Sequence, residues 1–522
     1  MRQALHILKK DVRRHWPELL ISLVLLGLYV RLTLQGPNDR LVPGSFPWYR
    51  LSAESIPTLM IFSWIFLTLR VVQGESLVGD QQWWTTKPYE WWKLLLAKEL
   101  FLLVFVSLPL FLVQLFFLHH AGFSIFSNFR GVLNLHLGLA IFLFLPSLAL
   151  SSVSKNLAQA LLGVAAVLLI FSTFIWLSQK VPSSSMSSAA EITEEAEGLV
   201  LFASIVGAAG WQYARRKTWA SRGLLLAGIA ALALIAVLTP YARFVEREYP
   251  LVESGGSPAK FAARAVPAPA KKRNNPLNLL SDVYLTIPLD ISGVAPGRVV
   301  VLEGIKAIIE TPSGVRLDPG WRAQWTVIWM EDERKNVTYQ LKRDDYEKLK
   351  AETVQLHVEL ALKEYQETQA REIVLPEGPF SEPELGICER SDKSPSQIDC
   401  RRPFRYPGLM ASFNPAQSSC RGEEDEDQQP EDKVSHVWYP PTTEDSPEPG
   451  LNPIVEYPIA FGPKTWLASN FEKTKRKQRV VFLCPGAKVK IAKPEATRYA
   501  RVKVEIGTTH LEDLVTSRFD LD

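Results

Sequence analysis

Seven long apolar runs mark the first part of the chain, at about residues 17–34, 55–72, 95–118, 132–152, 157–177, 198–214 and 222–240. A helix that crosses a bilayer needs roughly 20 apolar residues, and the third and fifth runs are the clear cases. The sixth, GLVLFASIVGAAGWQYA, is short and rich in small residues, so it needs close neighbours to be stable. Beyond Pro240 the pattern becomes alternating. Val283, Leu285, Ile287, Leu289 and Ile291 occupy every second position, and so do Trp321, Ala323, Trp325, Val327 and Trp329. The same spacing returns in Val354, Leu356, Val358, Leu360 and Leu362, and again in Val502, Val504 and Ile506. Period two is the signature of strands. One apolar and one mostly polar face predict antiparallel sheets packed on one side, and several such strands between Pro/Gly turns predict a β-sandwich. One short helix is predicted at 343–351.

The fold class expected is therefore a polytopic α-helical membrane domain of about seven transmembrane helices, followed by an extracytoplasmic, mainly-β, sandwich-like domain. Seven crossings is an odd number, so the two ends of the chain fall on opposite sides. Lys9, Lys10, Arg13 and Arg14 precede the first run, and Arg215, Arg216, Lys217 and Arg222 lie between the sixth and seventh. Both clusters are cytoplasmic by the positive-inside rule, and the acidic, Ser-rich loop at 178–197 is then outside. Cys388, Cys400, Cys420 and Cys484 all lie in the part placed outside, where disulfides persist. Four cysteines allow three pairings, and spacing does not choose among them. The absence of a CxxC spacing disfavours zinc or redox chemistry. The basic N-terminus is not a cleavable signal peptide, since no small-residue cleavage site follows its apolar run.

Residues 1–16 are expected as a cytoplasmic surface helix, with Leu5, Leu8 and Val12 on one face and Lys9, Arg13 and Arg14 on the other. Residues 17–240 form the transmembrane domain, 241–277 have the Ala/Pro/Gly composition of a linker, and 278–522 form the β-rich domain. The acidic, Pro-rich stretch at 421–450 is expected as a solvated, disordered loop. The chain has 522 residues, 47% of them hydrophobic, and a formal charge of +3, which gives no reason to expect nucleic acid as a partner. The triplet Asn336-Val337-Thr338 is the kind that occurs often by chance, and the adjacent His119 and His120 point in different directions on a helix, which suits an interface better than a metal.

The most informative loop joins the second and third runs, GESLVGDQQWWTTKPYEWWKLLLAKEL, residues 74–100. Trp83, Trp84, Trp91 and Trp92 stand among Glu75, Asp80, Lys87 and Glu90, as suits a membrane interface, and Pro88 forbids one continuous helix through it. A Thr-Lys-Pro turn after an aromatic stretch, followed by Leu94-Leu95-Leu96-Ala97-Lys98, resembles the inner loop of bacterial ABC-2-type transporter permeases. The resemblance covers residues 1–240. It implies a coupling helix that docks on a cytosolic ABC ATPase, with Trp83, Trp84, Lys87, Pro88, Glu90 and Trp91 as the coupling residues. It also implies pairing as a homodimer or with a second permease, and a place in the bacterial plasma (inner) membrane. The family core usually has six spans and no large external C-terminal domain; here a seventh run carries the β-rich part across.

No G-x-x-x-x-G-K-[ST] loop, G-x-S-x-G elbow or H-E-x-x-H motif occurs. The chain is thus expected to be no enzyme and to bind no cofactor itself, with ATP used by a partner. Arg31, Arg70, Lys98, Glu99 and His136 are all expected near span ends, where long side chains reach polar surroundings. The absence of charge at mid-depth favours an engine outside the membrane over ion coupling. The alternative is a membrane-anchored receptor or scaffold whose external β-rich domain binds a ligand or partner.

Overall fold

The computed structural model describes residues 2–34, 48–75, 78, 90–178, 187–238, 241–252, 258–263, 282–328, 333–391, 394–414, 428–430, 434–439, 451–461, 478–480 and 483–515. The first half is helical: α1 (Arg2–Arg14), α2 (Trp16–Leu34), α3 (Trp48–Gln73), α4 (Trp91–Leu102), α5 (Leu108–His120), α6 (Ile125–Leu139), α7 (Leu145–Ser152), α8 (Leu157–Ser178), α9 (Ser187–Arg215), α10 (Thr218–Leu238) and α11 (Tyr241–Glu248). α4 and α5 form one rod through a π turn at Leu103–Ser107, and α6 and α7 form another through Ala140–Phe144. Each π turn comes just before a proline, Pro109 or Pro146. Proline lacks an N–H and its ring presses on the carbonyl four residues back. The wider turn relieves that contact, and the Leu108 N–H bonds to the Leu103 carbonyl, five residues back.

Among the described residues, five helical stretches are long and apolar enough to cross a membrane: Trp16–Leu34, Ser55–Gln73, Trp91–His120, Ile125–Ser152 and Thr218–Ile235. Even the most enclosed has only 39% of its apolar stretch buried, so wide Leu, Ile and Phe surfaces face outward. α8 contributes a shorter apolar helix, Leu157–Ile170. α9 departs from expectation, since it starts at Ser187 and takes in the acidic residues expected as loop. Its small residues do bring it close to its neighbours. Ala208 and Ala209 are buried, a side chain at Gly207 would meet Leu224 of α10, and one at Gly228 would meet Ser204 of α9.

The second half is mainly β. Its elements are β1 (Lys260–Ala263), β2 (Asp282–Ser292), β3 (Arg298–Glu310), β4 (Arg316–Leu317), β5 (Trp321–Ile328), β6 (Glu333–Lys342), α12 (Arg343–Leu349), β7 (Thr353–Val374), β8 (Phe380–Glu382), β9 (Gly386–Arg390), β10 (Gln397–Pro403), β11 (Leu409–Phe413), β12 (Gln428–Pro430), β13 (Ser435–Tyr439), β14 (Ile454–Ala460), β15 (Gln478–Val480), β16 (Lys488–His510) and α13 (Leu511–Leu514). The largest sheet runs β13-β11-β16-β7-β3-β4, with β5 also on β3. Its spine is the antiparallel pair β7 and β16, of 22 and 23 residues. These two strands are long enough to serve two cores. In the first, Leu285, Ile287 and Tyr339 of the sheet β1-β2-β6 pack on Val300, Leu356 and Val502 of the large one. In the second, Cys388, Ile398 and Tyr457 of the sheet β14-β10-β9-β8 pack on Phe413, Val489 and Ile491.

Three expectations change. The large sheet is not polar on its second face. Val299, Val301 and Tyr365 pack there with Met410, and Val245 and Tyr249 of α11, which covers part of that face, pack with Trp321 and Ala361. The stretch 241–277 is not wholly linker: Tyr249 is buried with its hydroxyl on Glu303 and its ring edge-on to Tyr499, and β1 pairs with β2. Within 421–450, residues 435–439 form β13, whose Trp438 packs on Tyr365 at 4.8 Å between ring centroids.

The β-rich part meets the bundle at the α5–α6 corner. Leu451 is buried in the same apolar cluster as Tyr29, Trp64 and Phe117, and the Gln114 side chain donates to its carbonyl at 3.0 Å. Gly122 faces Ile387 and Gly131 lies against the Phe404 ring. α1 packs at the other end of the bundle, beside α4 and the end of α3.

Candidate functional site

The α1 end of the bundle holds a buried ionic network. α1 places Asp11 on its inward face, α4 brings Lys98 to meet it, and Glu75 follows the last turn of α3. The Lys98 ammonium lies 2.7 Å from Asp11 Oδ2 and 2.9 Å from Glu75 Oε2, and all three side chains are at most 3% exposed. The contact with Asp11 is a hydrogen bond; that with Glu75 Oε2 is an ion pair without hydrogen-bond alignment. Lys10 donates to the other oxygen of Glu75. Two ammonium groups thus face two carboxylates, which is what burial of charge requires. Burial by itself would raise the Glu75 carboxyl, but Lys98 and Lys10 together outweigh it and hold the group below its usual range.

Weaker ties surround this centre. Arg14 donates to the Gly74 carbonyl at 3.2 Å, and Gln73 donates to the carbonyls of Ser151 and Ser154 at 2.7 and 3.1 Å. Arg70 forks onto Glu18 at 3.2 and 3.3 Å, and Arg222 onto the Val153 carbonyl at 2.8 and 3.2 Å. His15, at the α1–α2 joint, is buried, and burial pushes its imidazole below its ordinary value against the pull of Glu18 and Asp11. The ends of six helices, α1, α2, α3, α4, α7 and α10, are thereby laced together.

Of the residues expected to couple to an ATPase, Trp83, Trp84, Lys87 and Pro88 lie outside the described residues. Glu90 caps the start of α4, where it accepts from the Trp92 indole at 2.7 Å and pairs with Lys93; Trp91 beside it is exposed. Cys388 and Cys400, directly opposite on β9 and β10, are bonded, Cys484 is also in a disulfide, and Cys420 lies outside the described residues. His119 and His120 end α5, with His120 stacked on Phe116.

The expectation that Lys98 reaches out from a span end is overturned: it is buried and neutralised within the bundle. His136 likewise turns inward, to bond Gln114 at 2.9 Å beside Phe111. The network was missed because its signal is faint. Lys98 stands in LLLAKELF, and Asp11 is the one acid in a basic helix.

Fold and site together define a helical bundle with five helical stretches, among the described residues, long and apolar enough to cross a membrane, and an attached disulfide-bearing β-rich region. Neither a protein-family model nor a curated protein sequence matches the chain.

Proposed function

We propose that the chain is the transmembrane permease subunit of an ATP-driven exporter whose ATPase is a separate chain. The observation that carries this reading is the position of Lys98, which joins α1, the start of the loop at 74–90 and α4. The loop is anchored at its beginning by Glu75 and at its end by Glu90 on α4. A push on it passes into two helices at once through groups that cannot separate without exposing buried charge. A cytosolic ATPase docked at 76–90 would use that linkage. ATP is then bound by the partner, not by this chain. Seven crossings, with α8 and α9 added to the five long apolar stretches, put the cationic α1 end in the cytoplasm and the disulfides outside, in keeping with the charge rule and with redox chemistry. Exporters of this kind form their path between two membrane halves, so a second copy or a paired permease completes it.

Affinity purification of the tagged chain under gentle detergent tests the proposal, with Pro88→Ala/Glu90→Lys alongside. An ATPase should copurify with the natural sequence and be lost from the variant. Its absence from both samples would remove the transporter reading and direct attention to the β-rich region as a receptor or scaffold.

A further inference from the structure

At the end of the bundle away from α1, a cavity of about 420 Å³ opens between α6 and the sheet β14-β10-β9-β8. One wall is a stripe of α6, in which Ser127 and Asn128 are followed at helical spacing by Gly131 and Asn134. The facing wall is the end of β10, with Arg402, and the chain just after it, with Phe404 and Arg405. We propose that this cavity binds the anionic phosphate headgroup of a membrane lipid.

The charge balance supports an anion. The wall contains one carboxylate, Glu382, and it is engaged by Arg371 at 2.8 Å. Arg402 is partly buried, and among the described residues no carboxylate lies within 4.0 Å of it. Burial pushes its guanidinium down; Tyr457 and Glu384 oppose this and Arg405 adds to it. Arginine keeps its proton in any case, so the cost of that burial persists until an anion enters. A phosphate offers acceptors to the guanidinium fork and to the Asn134 amide, while the Ser127 hydroxyl and the Asn128 amide already donate to the Ser124 carbonyl.

The wall is also built under strain. Phe404 has φ +67°, a left-handed backbone that a bulky residue adopts only when its surroundings impose it. Its N–H is held by the Pro453 carbonyl at 2.8 Å, and its ring occupies the space left open by Gly131, where a Cβ would lie 2.3 Å away. This fixes Arg402 and Arg405 on either side of a rigid point.

The surface of α6 selects a lipid over a free anion. Phe126, Phe129, Leu133 and Leu137 are exposed on that helix, Phe126 at 94%. A polar stripe that lines a cavity beside an apolar stripe that faces outward suits a molecule with a charged head and hydrocarbon tails. The inference relies on the membrane placement proposed above, but not on an ATPase partner, so the copurification result leaves it untouched.

The full chain in phosphatidylcholine nanodiscs, with and without phosphatidylglycerol, provides the test by native mass spectrometry. The natural sequence should retain phosphatidylglycerol over phosphatidylcholine. Arg402→Gln/Arg405→Gln should weaken retention roughly tenfold or more, and Arg402→Lys less. Asn134→Leu, a change on an exposed helix position that leaves the fold intact, should also weaken it. Arg130→Gln, outside the cavity, should not. Equal phosphatidylglycerol retention in the double-arginine and Asn134→Leu variants would overturn the proposal. So would equal occupation of the cavity by inorganic phosphate in lipid-free detergent, which would assign the site to a free anion.

Discussion

Lys98 shows how one side chain can hold three elements together. Its partners Asp11 and Glu75 are buried with it, so removing the ammonium leaves carboxylates with too little compensation. Lys98→Met should lower stability at neutral pH by about 3–5 kcal/mol, as breaking a buried pair from one side does. The pH dependence distinguishes this from lost packing. In the natural protein Glu75 is held below its ordinary value of 4.5, so its contribution is complete above that pH and fades as pH falls through the lowered value. Without Lys98, burial dominates and raises the carboxyl, so acid relieves the variant instead. The deficit of Lys98→Met, read from thermal unfolding in detergent, should therefore shrink between pH 7.5 and pH 4.5. An equal deficit at both pH values would mean that the lysine acts through packing alone. The sequence displayed Lys98 inside an apolar run, yet its hydrogen-bond partner is 87 positions away, and no local pattern connects them.

Among the elements, those with a clean period were legible and those covered on both faces were not. The alternation at 283–291, 321–329, 354–362 and 502–506 corresponds to β2, β5, β7 and β16. β3 escaped notice because RVVVLEGIKAIIE sits mid-sheet with both faces buried, which replaces alternation by a nearly continuous apolar run. β9 and β10 are short and carry several charges, and what holds them in place is contact with the second core and the bond between Cys388 and Cys400. The two cysteines close a short loop, 12 positions apart, and pair directly across the strands. Cys388→Ala/Cys400→Ala should cost about 2–4 kcal/mol, chiefly by freeing the unfolded chain. Hydrogen exchange should show the loss in β9, β10 and β14 while β2 and β6, which belong to the other core, keep their protection. Uniform loss across both cores would mean that β7 and β16 make them one cooperative unit.

At the scale of the whole molecule the two ends of the helical bundle differ in chemistry. The α1 end carries Lys10, Arg14, Arg70 and Arg222 in an ionic and carbonyl-binding lattice; the other end receives Leu451 and Phe404 from the β-rich part. Orientation depends on the parity of the crossings. The five long apolar stretches are odd in number, and α8 and α9 are consecutive, so their crossing together adds two and keeps the count odd. On the topology proposed above, with all five crossing and α8 and α9 crossing together or not at all, α1 and the β-rich region fall on opposite sides of a bilayer. In sealed right-side-out vesicles of the expressing cell, external protease should remove a tag placed after residue 522 and spare one placed before residue 1; inside-out vesicles should reverse the pattern. Cleavage of both tags from one side would require exactly one of α8 and α9 to cross. It would also bring the disulfides to the same face as the cationic α1 end, where reducing conditions oppose them. The proposed topology, with the cationic α1 end in the cytoplasm and the disulfides outside, therefore requires an odd count.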